Sequence, residues 1–172
     1  EPGERVASRR KTDAGKSRLL KLRSGRAKAR KGKISIDCVD MANIDPVDVR
    51  RQVGYLSQDS RLFFGTLRQN LMLGHPHATE AELIQALRIS GAIGIIQQDA
   101  ASLDRLINEG GRGLSGGQRQ MVLLSRLIVR NPQIVLLDEP TASLDEQLVG
   151  WVIRQLQQCL TGRTLLLVTH RP

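Results

Sequence analysis

Aromatic side chains are scarce: Tyr55, Phe63, Phe64 and Trp151 are the full complement in 172 residues, and all four lie beyond position 50. A chain that held single-stranded nucleic acid by base stacking would place such rings among its basic residues. Cysteine is nearly as rare. Cys38 and Cys159 stand far apart in the sequence, which excludes the paired spacing of a zinc site or a redox dithiol and reads as two ordinary small residues in a reducing compartment. No apolar run approaches the roughly 18 residues that a membrane-spanning helix needs. Lysine is absent after Lys33.

That last absence locates the charge. The formal net charge is +9, yet residues 1–33 hold 13 of the 26 Lys and Arg and only 3 of the 17 acids, so the remaining 139 residues are close to neutral. The basicity is a local arm. Such an arm can neutralise phosphates of nucleic acid or anionic lipid, but with no aromatic residue inside it the arm offers no stacking platform, which weighs against nucleic acid as the partner.

Along the chain, apolar strand-like runs alternate with helical segments, the pattern of an α/β fold with a mostly parallel sheet. Ile134–Leu137 and Thr164–Val168 are β-branched or leucine-rich without alternation, as strands buried on both faces are. Between Gln58 and Gly113 the pattern turns helical. Thr79-Glu80-Ala81-Glu82 has the hydroxyl-then-carboxylate form of a capping box, followed by Leu83, Leu87 and Ile89.

Two blocks carry chemistry. Leu114-Ser115-Gly116-Gly117-Gln118 reads as the start of a helix, where unpaired N–H groups, a hydroxyl and the positive dipole end suit a phosphate. Ile134–Leu137 runs into Asp138-Glu139-Pro140, a strand ending in two carboxylates, one able to serve Mg2+ and the next an attacking water. Gly15-Lys16-Ser17 adds a cation for phosphates and a hydroxyl for Mg2+.

Taken with Gln58, Ser143-Leu144-Asp145 and His170, these blocks fall in the order found in the nucleotide-binding domain of ATP-binding cassette (ABC) transporters, and the chain resembles that family over nearly its whole length. Leu62–Asn70, Glu109–Gly113 and Thr169–Pro172 resemble the exporters of bacterial type I secretion, which move RTX toxins and adhesins. The resemblance implies a P-loop NTPase fold of ABC type, with a core α/β part at 1–57 and 132–172 and an inserted helical subdomain at 58–131, in a chain cut at both ends. It implies ATP and Mg2+ as ligands. Asp13, Ala14, Gly15, Lys16, Ser17 and Arg18 would form the phosphate loop, Ser115, Gly116, Gly117 and Gln118 would serve the nucleotide of a second copy, and Asp145, in the same nucleotide-binding set, would communicate across the dimer or cap the helix that follows it. Ser17, Gln58 and Asp138 would act on the metal. Glu139 would be the general base, with His170 and Gln58 completing the hydrolytic set. The implied partners are a transmembrane domain fused N-terminally, a second copy in a homodimer, a periplasmic adaptor and an outer-membrane duct, with the domain at the cytoplasmic face of the bacterial inner membrane.

The sequence departs from the family in its phosphate loop. Arg10 and Asp13 stand where the pattern has glycines. A side chain at either position obstructs the backbone curl that cradles phosphates, and a carboxylate there repels them. Val6-Ala7-Ser8-Arg9-Arg10 likewise replaces an apolar central strand with one that ends in two guanidinium groups. These departures keep open a degenerate cassette of weak or no activity. A DNA-repair or chromosome-associated ATPase of the same type is a second alternative. In that group long insertions separate phosphate loop from signature, whereas Lys16 and Ser115 are 99 positions apart here.

Overall fold

The computed structural model describes residues 5–8, 20–22, 24–25, 32–36, 38–98, 100–140 and 142–168, the first of these stretches as backbone. In chain order the regular elements are strands β1 (Arg5–Ser8), β2 (Ser35–Ile36) and β3 (Val39–Asp40), helix α1 (Pro46–Gln52), strands β4 (Val53–Leu56) and β5 (Gly65–Thr66), helices α2 (Leu67–Met72), α3 (Glu80–Ser90) and α4 (Gly94–Gln97), strand β6 (Leu106–Ile107), helix α5 (Gly116–Arg130), strand β7 (Ile134–Asp138), helix α6 (Glu146–Cys159) and strand β8 (Thr164–Val168). They form two compact units, one of Glu1–Gln58, Pro132–Glu139 and Gly162–Pro172, the other of Asp59–Asn131 and Pro140–Thr161.

The first unit is built on a parallel sheet in the order β1-β8-β7-β4. β7 is buried from Val135 to Asp138 and β4 throughout, so the apolar runs 134–137 and 53–56 are what a sheet covered on both faces demands. Leu20, Val49, Val53, Tyr55, Leu136, Leu166 and Val168 pack together, with Ile36, Met41 and Ile44 at the margin; burying a side chain of this size stabilises the fold by roughly 1.5–3 kcal/mol. α1 starts where Asp45 accepts the Val47 N–H at 2.6 Å with Pro46 in the first turn, a start that uses proline's fixed φ and missing donor.

The second unit gathers around α5. Met121, Val122, Leu124, Leu127 and Val129 are buried on it, and Leu83, Ala86 and Leu87 of α3 are buried as well. Between these helices the Ser90 and Ser125 hydroxyls meet at 2.7 Å, within reach of the Leu87 and Met121 carbonyls, so their two protons are divided among three acceptors and neither hydroxyl is left unsatisfied. The capping box expected at Thr79 is present, with Thr79 Oγ1 accepting from the Glu82 N–H and Glu82 accepting from the Thr79 N–H. The sequence-based division grouped residues 140–161 with the α/β core; their contacts group them with the helices, because Leu148 and Trp151 of α6 lie against Gly91 at the end of α3. β1 stands at one end of the described strand order, not in its middle.

Candidate functional site

Because β1, β8, β7 and β4 are parallel, their carboxyl ends share one edge of the sheet. Ser8 pairs with Val168, Val168 with Asp138, and Leu137 with Leu56. In open α/β sheets ligands sit beyond this edge. Asp138 ends β7 almost fully buried at 3 % exposure, and the Tyr55 hydroxyl donates to its Oδ2 over a long 3.4 Å. Glu139 follows at φ 54° with its N–H donating to the Val168 carbonyl at 3.0 Å. A side chain in that left-handed region costs on the order of 1–3 kcal/mol and persists only where the surroundings over-determine it. Here the bond to β8 and 92 % burial of the residue supply that constraint. Gln58, exposed, lies two residues beyond β4 at the same edge. The first unit therefore brings Asp138, Glu139 and Gln58 to one side of the sheet. Asp13, Ala14, Gly15, Lys16, Ser17, Arg18 and His170 lie outside the described residues; in sequence they follow the ends of β1 and β8.

The second unit carries Ser115, Gly116, Gly117 and Gln118 at the start of α5. Ser115 Oγ accepts the Gln118 N–H at 3.1 Å and Gln118 Oε1 accepts the Ser115 N–H at 2.9 Å. Ser115 and Gln118 thus form a capping box in which each side chain acts as an acceptor, leaving the Ser115 O–H and the Gln118 NH2 as donors. The N–H groups of Gly116 and Gly117 sit in the first turn, where no intrahelical carbonyl reaches them, at the positive end of a 15-residue helix. Gly117 also permits a close approach: a Cβ there would lie 3.1 Å from the Ser143 carbonyl and 3.2 Å from Leu144. Gln120 secures the same contact by accepting the Ser143 N–H at 2.9 Å. Asp145 caps α6 through the Leu148 N–H at 2.8 Å, so the Ser115–Gln118 and Ser143–Asp145 motifs form one cluster within this unit.

Sequence reasoning missed Gln120, Tyr55 and Arg126. Arg126 Nε and Nη2 donate to the carbonyl and Oδ1 of Asn70, and Nη1 donates to the Arg61 carbonyl. The signal was a single guanidinium within the apolar run Met121–Val129, a position that requires partners. Burial pushes the Arg126 pKa down from its ordinary value, the direction expected of a cation leaving water. Arg68 shows the opposite shift because Glu80 and Asp104 pair with it, at 2.9 and 3.1 Å.

Comparison with known proteins agrees with this geometry. Residues 1–142 match the family described as ABC transporter, and the chain belongs to that family. It is 35 % identical over 170 residues to the cyclolysin secretion/processing ATP-binding protein CyaB of Bordetella pertussis, covering 99 % of this chain and 24 % of that protein. It is 34 % identical over 169 residues to the leukotoxin translocation ATP-binding protein LktB of Mannheimia glucosida, covering 98 % of this chain and 24 % of the relative. The chain thus spans about a quarter of the length of these curated relatives. A solved structure described as a bacterial Atm1-family ABC exporter with ATP bound superposes with a TM-score of 0.93 at 32 % identity, over 99 % of this chain and 30 % of that one. The α/β fold with a parallel sheet flanked by helices, expected from the motifs, is the fold observed, and the relatives do not favour a DNA-associated ATPase.

Proposed function

We propose that the chain is the ATP-binding and ATP-hydrolysing domain of an exporter of the type I secretion kind, driving protein or peptide export from the cytoplasmic face of the bacterial inner membrane. The observation that carries this reading is the Asp138-Glu139 pair at the carboxyl end of a buried parallel strand, with Glu139 held in a left-handed turn by β8. Glu139 would accept the proton of the attacking water, and His170 and Gln58 would hold that water and the γ phosphate in line. The metal fits the donors present: Asp138 offers a hard carboxylate oxygen, and Gln58 and Ser17 add neutral oxygens. Bound Mg2+ would supply neutralisation of the β and γ phosphate oxygens. Asp13, Ala14, Gly15, Lys16, Ser17 and Arg18 would wrap the phosphates. Ser115, Gly116, Gly117, Gln118 and Asp145 would close on the nucleotide of a second copy.

Phe63, Phe64, Leu73 and Leu106 are exposed at 57, 69, 60 and 56 % on the second unit. In this reading these exposed apolar side chains would meet the transmembrane part of the exporter. A periplasmic adaptor and an outer-membrane duct would complete the path. Arg10 and Asp13 favour a slow cassette as a second reading.

Phosphate release from ATP by the purified chain tests the proposal. Hydrolysis is expected to require Mg2+, to be indifferent to DNA, and to fall by roughly 100-fold or more in Glu139→Gln while ATP affinity is kept, because losing a general base costs about that much. Unchanged hydrolysis in Glu139→Gln would assign the base elsewhere.

A further inference from the structure

We propose that Arg126 is a positioning residue, which pins the Arg61–Asn70 segment to the helix beginning at Ser115 so that movement of the signature end carries Phe63 with it. The inference rests on the reading that this signature meets a nucleotide and that the exposed phenylalanines meet a partner. Arg126 lies ten residues into α5, about 15 Å along the axis from Gly116. Its three donors reach 2.8 Å to the Asn70 carbonyl, 2.9 Å to Asn70 Oδ1 and 3.1 Å to the Arg61 carbonyl, and its Cζ lies 5.4 Å from the centre of the Phe63 ring. Asn70 closes the other half of the clamp. Its Oδ1 accepts the Phe63 N–H at 2.9 Å, and its Nδ2 donates to the carbonyls of Phe63 and Thr66 at 2.9 and 3.1 Å. Gly74 lets the end of α2 approach α5 so closely that a Cβ would stand 2.5 Å from the Arg126 carbonyl.

The nature of these acceptors separates a positioning role from simple charge pairing. Among the described residues no carboxylate faces Arg126, whereas Arg68 in the same unit is neutralised by two. An ion pair tolerates several geometries, but three carbonyl-type acceptors are met together only by a planar fork in one orientation, which a lysine ammonium cannot reproduce. α5 therefore grips the loop by its backbone. Phe63 remains more than half exposed while its ring is held against the guanidinium, so the clamp presents a side chain to solvent without burying it.

The two phenylalanines of the chain are Phe63 and Phe64, so incorporation of para-fluorophenylalanine gives two fluorine resonances that report on this segment, assigned with Phe64→Leu. Saturating ATP with Mg2+, followed by calorimetry on the same samples, is expected to shift the Phe63 resonance of the wild-type chain. In Arg126→Lys and Arg126→Met, ATP should bind with unchanged affinity while that shift is lost. Asn70→Ala cuts the clamp from its other side and should lose the shift as well. A purely structural role would alter the ATP-free spectrum and the melting temperature yet leave the response to ATP, so a surviving response in these variants overturns the proposal. A wild-type resonance that stays still with ATP bound overturns it too. If calorimetry shows no ATP binding by the wild-type chain, the nucleotide reading has failed and the positioning role falls with it.

Discussion

Glu139 joins three properties that rarely meet in one residue: it carries a carboxyl group, is 92 % buried and is left-handed in its backbone. Its place after an apolar strand was readable from the sequence, since Asp-Glu follows Ile-Val-Leu-Leu directly. Its φ was not, because nothing in a Glu-Pro step announces a positive angle; the hydrogen bond from its N–H to Val168 sets it, and that partner is 29 positions away. The same scale holds the sharpest departure from the family. Arg10 and Asp13 occupy glycine positions beside an intact Gly15-Lys16-Ser17, so Arg10→Gly with Asp13→Gly should strengthen ATP binding by relieving obstruction and carboxylate–phosphate repulsion. A tenfold gain by titration calorimetry would correspond to about 1.4 kcal/mol. Equal, tight binding by both proteins would mean that the loop tolerates these side chains.

Helices α2, α3 and α5 all begin with the same device, a hydroxyl at the cap and a carboxamide or carboxylate three residues on: Thr66 with Gln69, Thr79 with Glu82, Ser115 with Gln118. Only the second is legible as a capping box in the sequence alone, since Leu-Ser-Gly-Gly-Gln equally fits the anion-binding start of a helix. The strands β7 and β8 were legible because their apolar runs are continuous. The contacts of α6 with α3 were not, since they depend on Gly91 leaving room for Trp151 and Leu148. Glu82 gives this scale its test. The Thr79 N–H bond, then the Thr79 hydroxyl and the nearby His75, hold the Glu82 pKa below its usual value. A depressed folded pKa means that the charged form is favoured by folding, so its contribution is present above the ordinary carboxylate pKa, about 4.3, and is lost as pH falls through the folded value. Urea midpoints of wild type and Glu82→Gln should differ by a small, constant amount near neutrality and converge in acid. Divergence on acidification would contradict the assignment. Because Glu82 is exposed, the effect should also shrink with added salt.

For the molecule as a whole, the sequence carried the order of motifs and the layered α/β plan, because each rests on local chemistry: apolar runs, cap residues, glycines beside a lysine. What it could not carry is which residues the folded units spend on holding themselves together, as Arg126 and Gln120 do. The proposed mechanism makes one demand that neither unit meets within a single copy. If Ser115, Gly116 and Gly117 serve the nucleotide held by the loop of a partner, then each ATP needs one residue set from each chain, and specific activity should climb with protein concentration. Two inactive variants then separate this arrangement from a site completed within one chain. Lys16→Ala removes the phosphate-loop cation and Ser115→Arg blocks the signature. Mixed in equal amounts, they form a heterodimer in which one site joins the intact loop of the Ser115 variant to the intact signature of the Lys16 variant. Statistical pairing in a two-fold dimer predicts about a quarter of wild-type hydrolysis in the mixture. A site built within one chain leaves every copy defective, so a mixture as inactive as its components would exclude the shared site.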